Sequence, residues 1–192
     1  LDSKSQRLKN LTDDLVEASK LSSGNIVLAM QELNLVELVS QANGEFTEKF
    51  EQKNLTIVQT LPEVPVVIEA EGRRIWRVLE NLYNNVSKYA MDNTRVYVAV
   101  VPESDRASFI IKNISASSID ITPDQLMDRF VRGDVSRTTE GSGLGLSIAK
   151  SLSEIQDGKF EINIDGDLFK AIVMMPIWIE QDTEELEKQQ IE

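Results

Sequence analysis

Over the first 22 positions the apolar residues Leu1, Leu8, Leu11, Leu15 and Ala18 are spaced by seven, three, four and three residues within a polar run. So narrow a stripe predicts a helix that packs along one seam against another helix, of this chain or of a second subunit. Ser22-Ser23-Gly24-Asn25 then punctuates the chain, and the apolar run 26–30 predicts a linker strand. Leu35, Leu38, Val39, Ala42, Phe46 and Phe50 form a periodic face that predicts a helix over 34–51, with Asn34 as its cap and Glu37 at the capping-box position. Strands are predicted at 55–61 and 64–68, separated by Pro62 and Pro65, which suit edges and turns better than helix interiors. A third helix, 72–91, carries Ile75, Val78, Leu79, Leu82 and Val86 on one face.

The alternating segments 95–101 and 107–112 flank a turn and predict an antiparallel hairpin. A polar stretch from Asn113 passes through a helix-like 123–130 into a Gly-containing segment, 133–145, followed by a helix to about Gln156. Residues 159–164 and 168–175 close around Asp165-Gly166-Asp167 as a second hairpin. This order predicts an α/β two-layer sandwich: a mixed, largely antiparallel sheet with helices on one face, preceded by the N-terminal helix. The expected division is 1–22 helix, 23–33 linker, 34–178 globular domain and 179–192 acidic tail.

With 192 residues, 41% of them hydrophobic, the chain has material for one substantial core and a small appendage. It opens on Leu1-Asp2-Ser3-Lys4, without an initiator Met or signal-peptide pattern, and contains no run of the ~20 apolar residues that span a bilayer. It reads as a soluble fragment of a longer protein. The absence of Cys removes disulfides and thiolate zinc sites and suits the cytoplasm. The absence of His excludes, within this chain, a Ser-His-Asp triad, a histidine metal site and any imidazole acid or base. A formal charge of −12 disfavours a nucleic-acid surface but not a small phosphate ligand held locally.

Two segments carry candidate chemistry. In Glu80-Asn-Leu-Tyr-Asn-Asn-Val-Ser-Lys-Tyr, residues Asn81, Asn85 and Lys88 share a helical face, and Asn84 and Tyr89 lie nearby. Asn is a mediocre helix former, so three in five residues invite a functional explanation as well as the plain one of a polar surface turn. Amide oxygens are hard ligands suited to Mg²⁺, and Lys88 supplies a positive point charge for phosphates. The second segment, Gly141-Ser142-Gly143-Leu144-Gly145-Leu146, enters a helix directly, as a phosphate cradle does. The polar segment before it carries Arg132 and Arg137, which suit phosphate oxygens and a lid.

Asn-rich helix, hairpin, polar loop and Gly-rich entry to a helix, in that order, resemble the ATP-binding domain of bacterial sensor histidine kinases. That domain belongs to the group sharing the Bergerat nucleotide fold with gyrase, Hsp90 and MutL. Residues 81–89 resemble the N box, 128–134 the F box and 141–146 the second Gly-rich box; 1–22 resemble the second helix of the dimerisation and phosphotransfer domain. The resemblance implies that Asn85 coordinates Mg²⁺ with Asn81 beside it, and that Lys88 and Tyr89 approach the nucleotide. It further places Arg132 near the γ-phosphate and implies that Gly141, Gly143 and Gly145, with Leu144 among them, close over the phosphates.

The first Gly-rich box departs from the family pattern Asp-x-Gly-x-Gly and reads Asn113-Ile114-Ser115-Ala116-Ser117. Asn113 keeps an acceptor for the adenine amino group and loses the carboxylate charge. Family members that hydrolyse ATP with water carry Glu where this chain has Asn81, so transfer to a protein histidine is implied instead. That histidine, on an upstream helix, is absent here; a fragment binding ATP without phosphorylating itself is the corollary. Further implied are a homodimeric full-length protein at the cytoplasmic face of a bacterial membrane and a response-regulator receiver domain as partner. The alternative is a noncatalytic interaction module that keeps the fold and binds nucleotide poorly.

Overall fold

The computed structural model describes residues 27–127 and 144–178, together with positions 5, 8, 9, 12, 13, 15–17 and 19, all of these last helical. A five-stranded sheet forms one layer. Its strands are β2 (Thr56–Thr60), β4 (Arg95–Pro102), β5 (Arg106–Ile114), β6 (Lys159–Asp165) and β7 (Leu168–Pro176), in the order β2-β4-β5-β7-β6. Only β2 and β4 run parallel; the other pairings are antiparallel. A separate two-stranded sheet joins β1 (Gln31–Asn34) to β3 (Val67–Ala70). The helices are α1 (Leu35–Glu51), α2 (Gly72–Tyr89), the short α3 (Pro123–Met127) and α4 (Gly145–Glu154). The predicted two-layer sandwich and both hairpins are present.

Strict alternation builds the core. Val96, Val98 and Val100 of β4, Ala107, Phe109 and Ile111 of β5, and Phe169, Ala171, Val173 and Met175 of β7 are buried against the helix layer. From that layer α2 contributes Ile75, Val78, Leu79, Leu82, Tyr83 and Val86, all buried. Each such side chain contributes about 1.5–3 kcal/mol relative to exposure. α1 adds Phe46 and Phe50, which pack with Tyr83 and, through it, Phe109. The Tyr83 hydroxyl donates to Asn43 Oδ1 at 2.6 Å, and Asn43 Nδ2 donates to Gln59 Oε1 at 2.9 Å, so the polar atoms of this seam are joined across α1, α2 and β2.

Several boundaries move. Residues 27–30 are irregular, and the strand forms at Gln31–Asn34 instead of 26–30, where it meets β3. The strand expected at 64–68 lies at Val67–Ala70, because Pro62 and Pro65 lack the N–H groups a ladder needs. Asn34 caps α1 as predicted, its Oδ1 accepting from Val36 N at 3.1 Å. α2 ends at Tyr89, since Ala90 turns extended and bridges to Ser115. The expected lid, the continuation of α3 to Phe130 and the acidic tail lie outside the described residues.

Candidate functional site

α2 is held in place at both ends by residues remote in sequence. Its N-cap residue Glu71 has no side-chain cap; the Glu71 N–H donates instead to Gln156 Oε1 at 2.8 Å, from the end of α4. Gln156 is fully buried, and its Nε2 donates to Leu152 O. At the other end Lys53 Nζ donates to Ala90 O at 2.8 Å, placing a cation on the terminal carbonyls of α2, as the helix dipole favours. Arg74 Nε lies 3.1 Å from Glu71 Oε2 as an ion pair, without the alignment of a hydrogen bond, and Arg74 Nη1 reaches Glu17 of the N-terminal helix at 3.4 Å.

So fixed, α2 distributes its three asparagines in three ways. Asn84 turns toward α1, where its Oδ1 accepts from Lys49 Nζ at 2.7 Å. Burial pulls the Lys49 ammonium below the usual lysine range, with the Glu80 carboxylate acting against it. Asn81 faces α4: it is 9% exposed, and a Cβ on Gly145 would lie 3.4 Å from its Oδ1. Its Nδ2 is buried without a partner. Asn85 is half-buried and, among the described residues, makes no side-chain hydrogen bond. Glu80 is occupied by Arg77 Nη1 at 2.6 Å and stands ~100° around the helix from Asn81.

Opposite Asn81, α4 begins at Gly145, with Leu144 buried before it and no side-chain cap. An uncapped first turn presents backbone N–H donors and the positive end of the dipole. The third wall is the end of β5. Asn113 is 2% exposed on the helix-facing side, in register with Phe169, and is the polar member of an otherwise apolar series with Phe109 and Ile111. Its Nδ2 donates to Ile114 O at 3.1 Å, which fixes the amide orientation, while Oδ1 is buried without a partner. Met91 N donates to Ile114 O and Ala116 N to Tyr89 O, both at 2.8 Å, so the end of β5 is tied to the end of α2.

The structure therefore places Asn81, Asn85, Lys88 and Tyr89 on α2, Leu144 and Gly145 at the entrance of α4, where Gly145 meets Asn81, and Asn113 at the end of β5, whose next residues bond to the end of α2. Arg132, Gly141 and Gly143 lie outside the described residues. Sequence reasoning missed Gln156, Lys53 and Lys49, which act through tertiary contacts and carry no local signature. It marked Asn113 for its acceptor oxygen and Asn81 for an amide oxygen beside Mg²⁺, whereas the atoms buried without a partner are Asn113 Oδ1 and Asn81 Nδ2. Buried groups of this kind cost free energy unless a ligand or water completes them.

The Asn-bearing α2, the glycine-entered N-terminus of α4 and the end of β5, with its unpaired acceptor, thus adjoin one another within a single α/β sandwich. The family model described as histidine kinase-, DNA gyrase B- and HSP90-like ATPase matches residues 70–185, and the chain belongs to that family. The probable sensor protein PcoS of Escherichia coli is 28% identical over 174 residues, covering 88% of this chain and 37% of the relative. The sensor histidine kinase MtrB of Mycobacterium tuberculosis is 26% identical, covering 81% of this chain and 28% of its own length. The chain thus spans between a quarter and two fifths of these relatives. In fold it is similar to full-length ShkA solved in complex with AMPPNP, with a TM-score of 0.77 over 88% of this chain, 19% identity and 36% of that chain covered. No helix among the described residues is long and apolar enough to cross a membrane.

Proposed function

We propose that this chain is the catalytic portion of a two-component sensor histidine kinase, binding ATP between α2, α4 and the end of β5 and donating its γ-phosphoryl group to a histidine of a dimerisation helix. The observation that carries the reading is the pair of orphaned buried amides. Asn113 Oδ1 is an acceptor suited to the exocyclic amine of adenine, and Asn81, whose Oδ1 is the atom nearest Gly145 at the start of α4, holds a buried unpaired donor in Nδ2. Asn85, with its amide unengaged by the described residues, and Asn81 would hold Mg²⁺, which supplies charge neutralisation to the phosphates when bound. Lys88 and Tyr89 flank the same helix end, and Arg132, Gly141 and Gly143 complete the phosphate contacts.

The described residues support phosphoryl transfer over hydrolysis. Asn81 has no proton-accepting carboxylate, and Glu80 is held by Arg77 away from the face that Asn81 shares with Gly145. The protein's role is positioning and charge stabilisation, with the acceptor imidazole as its own nucleophile. The N-terminal helix belongs to the dimerisation domain in this reading. The full-length protein is a homodimer at the cytoplasmic face of the membrane, handing the phosphoryl group to a response-regulator receiver domain.

Calorimetric titration of a nonhydrolysable ATP analogue with Mg²⁺ tests the site. Saturable binding by the parent, abolished in Asn85→Ala, is the expected result. Absence of binding by the folded parent would refute the proposal and leave a noncatalytic interaction module. Incubation with ATP and a separately supplied histidine-bearing dimerisation domain then reads transfer, which should appear as an acid-labile phosphohistidine on the added domain.

A further inference from the structure

The two edges of the five-stranded sheet are treated differently. β6, at one edge, carries Lys159, Glu161, Asn163 and Asp165 on its exposed positions, charged and polar side chains of the kind that discourage a further strand. β2, at the other, reads Thr56-Ile-Val-Gln-Thr, without a charge or a proline, and Val58 is 37% exposed. Thr56 N donates to Thr94 O at 3.0 Å in a parallel register. Bonding therefore alternates so that Thr56, Val58 and Thr60 face β4, while the backbone groups of Ile57 and Gln59 point away from it. Among the described residues β2 pairs with no other strand.

Beside this edge, between α1 and β2, lies a groove of about 260 Å³ lined by Thr47, Phe50, Glu51, Leu55, Thr56 and Ile57. Its floor is apolar, since Phe50 and Leu55 are buried core residues. Its rim is acidic: Glu51 lines it and exposed Glu48 adjoins Thr47 on α1, and neither has an ion-pair partner among the described residues. The lysines nearest in sequence are committed elsewhere, Lys49 to Asn84 and Lys53 to Ala90 O and Asp92.

We propose that the β2 edge and this groove form a docking site for an extended, lysine- or arginine-bearing peptide segment of a partner protein. The segment adds to the sheet beside β2 and seats one apolar side chain over Phe50 and Leu55. Backbone pairing to Ile57 and Gln59 supplies affinity, and the groove with its carboxylates supplies selectivity. The charge argues against a second copy of this chain as the occupant, because each copy carries −12 and would bring like charge to the acidic rim.

The probe is a capped heptapeptide, Lys-Val-Lys-Leu-Lys-Val-Lys, beside a version with proline in place of the central leucine. Amide hydrogen exchange followed by NMR should show Ile57 and Gln59 slowing by about tenfold at saturation, with the β6 amides unchanged. Glu51→Lys and Thr47→Arg, both at exposed positions that leave the fold intact, should each weaken binding by about tenfold. Equal binding of the proline peptide would overturn the proposal. So would shifts spread over other acidic surfaces while Ile57 and Gln59 stay unprotected, or protection that rises with chain concentration in the absence of peptide, which would assign the edge to a second copy.

Discussion

Asn113 sits in a β-strand position whose same-face neighbours are Phe109 and Ile111, and it bears a carbonyl oxygen with no partner. An acceptor left in that state costs the folded chain its hydration and returns nothing until a donor arrives. Asn113→Ala should therefore leave the stability of the unliganded chain within about 1 kcal/mol while weakening the ATP analogue by about 1–3 kcal/mol and narrowing the preference for ATP over GTP. Calorimetry with both nucleotides reads the binding, and urea unfolding reads the stability. Tyr83 is the contrasting case, a buried polar group that is satisfied, its hydroxyl donating to Asn43 at 2.6 Å. Burial pushes its phenol well above the usual tyrosine value. Its neutral form thus contributes stability that is full below about pH 10 and is lost as pH rises further. Tyr83→Phe, which strands Asn43 Oδ1, should cost about 1–3 kcal/mol at pH 8. The difference from the parent in urea unfolding should shrink as pH rises toward 11, and Lys49, whose lowered pKa slopes the other way, cancels in that comparison.

At the scale of elements, α2 is a functional helix whose termini are secured from elsewhere in the fold, and Gln156 is the clearest instance. Gln156→Ala leaves the Glu71 N–H and the Leu152 carbonyl without their side-chain partner in a fully buried place, and should cost about 1–3 kcal/mol in urea unfolding. Gly158 marks the neighbouring turn, where a Cβ would stand 2.6 Å from Met175 Sδ and 2.9 Å from both Met174 O and Ser153 O. Gly158→Ala should destabilise more than an ordinary surface substitution, by about 1–3 kcal/mol, because two of those three atoms are backbone and cannot step aside. Neither residue was legible beforehand. The helices and hairpins were, because they follow from periods of 3.6 and 2 in residues such as Ile75, Val78 and Leu82, or Val96, Val98 and Val100. The Asn81–Tyr89 and Gly145 segments were legible because Asn inside a helix and Gly at its entrance run against propensity. Hidden from a linear reading were the β1–β3 pairing, set by where two prolines release the chain, and the parting of Asn84 from Asn81, which depends on Lys49 reaching across from α1.

For the whole molecule, the candidate site has consequences beyond its contacts, because its walls belong to three elements of one core. α2, α4 and β5 each bury an apolar face in the cluster that includes Leu82, Ile148 and Phe109, so a ligand bridging them opposes global unfolding. A nucleotide that binds only the folded chain, supplied at about 100 times its dissociation constant, should stabilise it by about 2.7 kcal/mol. For a domain of this size that is a rise of roughly 5–10 °C in Tm. Scanning calorimetry with and without the Mg²⁺-bound analogue reads the shift. Asn85→Ala separates ligation from folding: its side chain makes no hydrogen bond among the described residues and is only half-buried, so the unliganded Tm should hold while the nucleotide-dependent rise disappears. A variant that lowered both equally would make Asn85 a structural residue of α2, and would move the weight of the phosphate site onto Lys88 and the entrance of α4.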